Sequence, residues 1–172
     1  MTRFPDRELI SRMTRTCSTL YRGGAIYLLK DDVALQTEEQ LLSFCLFIAV
    51  DEQTRLHHLR TLTLLCDPLP QDVTEGLVHI FKRKSRSKLV SLEILFGTMS
   101  IHPVSVLAAI APTLEELIVY YDRTVRHPLH PPAVYPKLRK FVLKTDYPIL
   151  RPYINAFPKI AQITLKTCHG TH

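Results

Sequence analysis

The chain has 172 residues, 46% hydrophobic and 22% charged, and its 22 Lys and Arg against 16 Asp and Glu leave +6 with His counted neutral. That apolar content excludes a disordered tail, and four Cys are too few for a disulfide scaffold. The length suits one domain that buries roughly two-thirds of its unfolded surface. In chain order, Met1 to Glu8 is charged with no apolar run behind it, so it does not read as a secretory signal. Leu9, Met13, Thr16, Cys17 and Leu20 fall at helical spacing, and the pair Gly23 and Gly24 is expected to end that helix. Val33 to Leu35 predicts a short strand. Thr37 with Gln40 three residues later is a capping-box pattern that opens an apolar helix over Leu41 to Val50. That helix is apolar almost all round, so burial on more than one side is expected. Ten residues with Ser43 among them are about half of what a membrane span needs.

From residue 59 onward one frame recurs: L-x-x-L-x-L-x-x followed by a polar or small residue. Its copies are Leu59, Leu62, Leu64; Leu89, Leu92, Ile94; Leu114, Leu117, Val119; Leu138, Phe141, Leu143; and Ile160, Ile163, Leu165. Their starts are 30, 25, 24 and 22 residues apart. Apolar alternation with period 2 is a strand with one buried face. Between copies, Gln71 to Lys84 reads as a helix with Leu77, Val78, Ile80 and Phe81 to one side. Pro103 to Ile110 reads as a short helix opened by its proline and closed before Pro112. Pro148 to Phe157 repeats that grammar. Asp122 to Tyr135, rich in proline, reads as an extended loop. Strand, return and parallel strand make a unit that buries its apolar face by stacking on its neighbours.

Over residues 56 to 168 this pattern resembles the leucine-rich repeat family. The match lies in the strand core; where the family carries an Asn ladder, this chain has Asp67, Gly97, Asp122, Asp146 and Cys168. The segment Met13 to Tyr21, followed by Tyr27, Leu28 and Leu29, resembles the closing helix of an F-box. Phe4, Pro5 and Glu8 imitate an F-box opening, only nine residues before Met13. The order of these segments is similar to fungal F-box/leucine-rich repeat proteins, with most of the F-box itself missing. The resemblance implies an α/β fold: a short, irregular leucine-rich solenoid with a parallel sheet of five to six strands and a helical N-terminal lid. Residues 1–55 then hold a partial F-box-like helix and capping segment, and residues 56–172 the repeat region. The implied function is protein recognition as the substrate-binding part of an F-box-type ubiquitin ligase. The alternative is a scaffold or truncated product with no ligase link. Binding of the F-box adaptor by this chain alone is expected to be weak or absent.

Chemistry-bearing constellations are sparse. There is no GxSxG, P-loop or GxGxxG, so no enzyme and no cofactor is expected. Glu115 and Glu116 are adjacent on a strand and face opposite sides. His57 and His58, His127 and His130, and Cys168 with His169 lack zinc-site spacing. Lys82 to Lys88 carries five basic residues in seven, which suits the C-terminal turn of a helix. No aromatics alternate with them, so nucleic acid is not expected as a partner. Cys17, Cys45, Cys66 and Cys168 form no CxxC and read as reduced cysteines of an intracellular protein, cytoplasmic or nuclear.

What remains is the face opposite the leucines. The x positions line up in three rows across the sheet. One is Thr61, Ser91, Glu116, Lys140 and Gln162. The next is Thr63, Glu93, Ile118, Val142 and Thr164. The last is Leu65, Leu95, Tyr120, Lys144 and Lys166. An apolar centre of Leu65, Leu95, Ile118, Tyr120 and Val142 therefore gives way to a basic end of Lys140, Lys144 and Lys166. Together with Glu93 and Glu116 these are the expected partner-binding residues, for a target protein the sequence does not name.

Overall fold

The computed structural model describes residues 18–82, 88–97, 103–121, 133–145 and 155–167. The fold is α/β. Six strands form one sheet: β1 (Val33–Leu35), β2 (Thr61–Leu64), β3 (Ser91–Phe96), β4 (Glu116–Tyr121), β5 (Lys140–Lys144) and β6 (Gln162–Lys166). Every neighbouring pair is parallel, and spatial order is sequence order. The helices are α1 (Ser18–Leu29), α2 (Glu38–Val50), α3 (Glu52–Arg55), α4 (Gln71–Lys82) and α5 (Pro103–Ile110). The expected strands at the five frames and the short strand before them are all present, and α4 and α5 stand where the sequence places them. Residues 122–132 of the proline-rich loop with His127 and His130, most of the expected helix from Pro148, the basic run's residues 83–87, Asp146, Cys168 and His169 lie outside the described residues, as do residues 1–17 with Leu9, Met13, Thr16, Cys17 and the F-box-like opening.

Alternation explains the sheet. In β2, β3 and β4 burial switches at every residue. The frame residues of β2 to β5, from Leu62 and Leu64 to Phe141 and Leu143, are 2% exposed or less. Leu59, Leu89, Leu114 and Leu138, just before each strand, are fully buried. Val73, Thr74, Leu77, Ile80 and Phe81 of α4 supply the apolar stripe behind the sheet. Behind β5 an aromatic cluster takes over, with Phe157 4.8 Å from Phe141 and 5.5 Å from Tyr135, ring centre to ring centre.

Three expectations fail on this side of the sheet. α1 runs through Gly23 and Gly24 to Leu29, and Lys30 N–H donates to Ile26 O beyond it at 3.0 Å. Each glycine costs about 1 kcal/mol of helix propensity, but burial of Ala25 and Leu29 against the core offsets it. α2 is not buried all round. Leu41, Phe44 and Ile48 face the core, while Leu42, Leu46 and Val50, four residues apart, stay exposed. One stripe meets α4 and β1, and nothing among the described residues covers the other. In β6, Ile163 and Leu165 stand in the leucine register but are 39% and 45% exposed. Their burial needs a layer beyond β5, and the described residues do not supply it.

The ends of α2 are fixed by polar contacts. Thr37 Oγ1 accepts from Gln40 N–H at 3.3 Å, and Gln40 Oε1 accepts from Gln36 N–H at 2.8 Å. The expected capping box is present, with its return bond one residue earlier than usual. At the other end the buried Arg55 donates to Phe47 O and stacks 4.1 Å from the Phe47 ring centre, so a helix-end carbonyl gains a charged donor. Cys45 packs toward Gly76 of α4, and burial, with Asp72 adding to it, pushes its thiol up to about 11. Gly97 closes β3 where a Cβ would overlap the Asp67 carboxylate. Two of the positions that replace the Asn ladder thus meet: the side chain comes from one and the space for it from the other.

Leu117→Ala should cost roughly 2–5 kcal/mol in urea unfolding. Leu95→Ala, on the half-exposed side of its strand, should cost clearly less; equal losses would mean the two faces are assigned backwards. Tyr135 is 1% exposed and its hydroxyl finds no hydrogen-bond partner among the described residues. Tyr135→Phe is therefore expected to hold or raise stability, by about 1 kcal/mol at most. A loss of that size on thermal unfolding would reveal a partner for the hydroxyl.

Candidate functional site

The register reproduces the three rows of outward positions. Ser91, Glu116, Lys140 and Gln162 are successive partners, as are Glu93, Ile118, Val142 and Thr164, and then Leu95, Tyr120, Lys144 and Lys166. Leu65 follows β2 and is tied to the sheet by its N–H to Leu35 O at 3.0 Å. Ala34 of β1 extends the middle row beside Thr63.

Burial along these rows is graded. Leu65, Leu95, Ile118 and Tyr120 are half-buried, and Lys166 is exposed. Val142 departs from expectation: it is only 5% exposed. It sits between Ile118 and Thr164 across strands and between Lys140 and Lys144 along its own, so its short side chain lies below longer neighbours. Val142 is therefore part of the floor of this face.

The charged residues meet each other. Tyr120 Oη donates to Glu93 Oε1 and accepts from Lys144 Nζ. Lys144 Nζ also lies 3.9 Å from Glu93 Oε1 and 3.9 Å from the Tyr120 ring centre, a cation–π contact. Four residues earlier along the same two strands, Lys140 pairs with Glu116 directly across β4 and β5. The expected basic end is thus mostly neutralised within the chain. Of its three lysines, only Lys166 makes no ion pair among the described residues. The Glu116–Lys140 pair was readable once the rows were written, because both residues stand in the same row. The Glu93–Tyr120–Lys144 triad was harder: Glu93 reaches Tyr120 on a diagonal, one row over.

Tyr120, Glu93 and Lys144 contact one another across three strands. Among the described residues, no group of three His, Cys, Asp or Glu side chains could hold a metal ion, and no helix is long and apolar enough to cross a membrane. Comparison with protein-family models, curated proteins and solved structures finds no match.

The triad holds three strands together across the open face, so its parts should couple. A double-mutant cycle of Glu93→Gln and Lys144→Met is expected to show about 0.5–1 kcal/mol of coupling that shrinks at high salt. Tyr120→Phe in the same background should lower that coupling, since the hydroxyl bridges the two charges. Strict additivity would show that the three side chains act separately.

Proposed function

We propose that this chain is a protein-recognition module built as a short leucine-rich solenoid, and that it forms the substrate-binding part of an F-box-type ubiquitin ligase receptor. One observation carries the reading. All-parallel sheets normally have both faces covered, yet here one face keeps Leu95, Ile118 and Tyr120 half exposed inside a charged rim. Stacked strand units that leave such a face open use it for binding extended surfaces of other proteins. The F-box part of the reading rests on the resemblance of the N-terminal segment.

In that role the chain does no chemistry. It holds a target beside a ubiquitin-loaded enzyme and raises the effective concentration of the reacting groups. Tyr120 is the anchor: a large amphipathic ring, fixed in orientation by Glu93 and Lys144 before any partner arrives. Because Lys140 and Lys144 are committed inside the face, long-range attraction falls mainly to Lys166, and association should depend only mildly on salt.

Affinity capture with the wild-type chain and with Ile118→Asp tests the recognition surface. Ile118→Asp is expected to keep its thermal midpoint within a few degrees and to lose the partners that the wild type holds. Partners retained by the variant would move the surface elsewhere. The ligase link is read separately. Ubiquitination of a captured partner should rise with the wild-type chain and not with Ile118→Asp; capture without any change in ubiquitination leaves a scaffold.

A further inference from the structure

The strand at the end of the sheet is built to pair again. Gln162 N–H donates to Arg139 O at 2.9 Å, and Lys166 O accepts from Thr145 N–H at 3.0 Å. In a parallel ladder, alternate residues turn both backbone groups to the same side. Gln162, Thr164 and Lys166 therefore bond to β5, and Ile163 and Leu165 turn their N–H and C=O toward the free edge. No strand pairs with that edge among the described residues. The same two residues carry the exposed apolar side chains, at 39% and 45%, where their equivalents in β2 to β5 are 2% exposed or less. Open backbone groups and open apolar surface coincide on one short strand.

We propose that β6 is a self-association edge that takes β6 of a second copy, antiparallel, about a two-fold axis through Thr164. The sequence of the strand is complementary to itself in that register. Ile163 of one copy stands opposite Leu165 of the other, and the reverse holds across the axis, so four exposed apolar side chains meet on one face. Those residues are also the ones whose N–H and C=O point outward, so they form the hydrogen-bonded pairs of the antiparallel ladder. Thr164 faces Thr164 as the closely spaced pair. Gln162 faces Lys166, which keeps like charges from standing directly opposite. A closed two-fold contact of this kind stops at two copies and leaves no further edge of the same type. It joins two sheets into one continuous surface without covering Tyr120 or Leu95. This pairing is independent of the identity of any target protein.

The contact is small, so the dimer should be weak and concentration-dependent. Each chain carries +6, so its formation should improve as salt screens the repulsion. Sedimentation equilibrium of the full chain over a concentration series at low and high salt tests this. A monomer–dimer equilibrium that tightens with salt is expected. Leu165→Lys should abolish it while leaving the thermal midpoint nearly unchanged, because that side chain is already half exposed in the single chain. In a Cys168→Ser background, Thr164→Cys should form a covalent dimer on oxidation, joined at position 164. Gln162→Cys should not, since Lys166 stands across from it. A monomer at every concentration, a dimer that survives Leu165→Lys, or equal cross-linking from both cysteine variants would overturn the proposal.

Discussion

Everything in this fold depends on a two-residue rhythm kept in step across parallel strands. Each of β2 to β5 sends a pair of large apolar side chains inward, and those pairs stack from one strand to the next with almost no exposure. A slip of one residue would turn every such pair to solvent and bring Glu93, Glu116 or Lys144 into the core. The register is thereby fixed by the leucines. The outward rows follow from the same register: with the leucines in step, Glu116 stands beside Lys140 and Tyr120 beside Lys144.

The same rhythm explains which parts of the structure could be read from the sequence. Strand positions and their order followed from five copies of one frame, and α4 from an apolar stripe of period 3.6. Such patterns recur over many residues, so tertiary context does not overturn them. Features that rest on a single residue or on the amount of cover were less legible. Gly23 and Gly24 suggest a helix end, yet the buried Ala25 and Leu29 carry α1 past them. Leu42, Leu46 and Val50 carry no sequence mark to separate them from Leu41, Phe44 and Ile48; only the number of neighbouring elements decides which stripe is covered. Ile163 and Leu165 show the same limit, since their frame gives their direction and not what lies beyond. Val142 shows the reverse: an outward position closed over by its neighbours.

The open face differs from a simple basic patch. Lysines placed for steering a partner would stand apart from acids, whereas Lys140 meets a glutamate one strand back and Lys144 meets one two strands back. The result is a face whose polar groups hold each other in place and whose half-exposed apolar groups, Leu95 and Ile118, stand next to them. A surface ordered in this way loses little side-chain freedom when something docks on it. Shape and apolar contact, more than net charge, would then select what it holds.

Because each strand pairs only with the strand before and after it in sequence, the chain closes connections of 17 to 26 residues one at a time as the sheet grows. The entropy of closure is met in modest steps, and folding can extend outward from the strands that form first. A lesion in one strand also weakens mainly its two neighbours, so its effect stays near the place where it occurs. The connections between strands, not the strands themselves, are therefore where such a chain can gain or lose residues over generations while the leucine ladder beneath keeps its alignment.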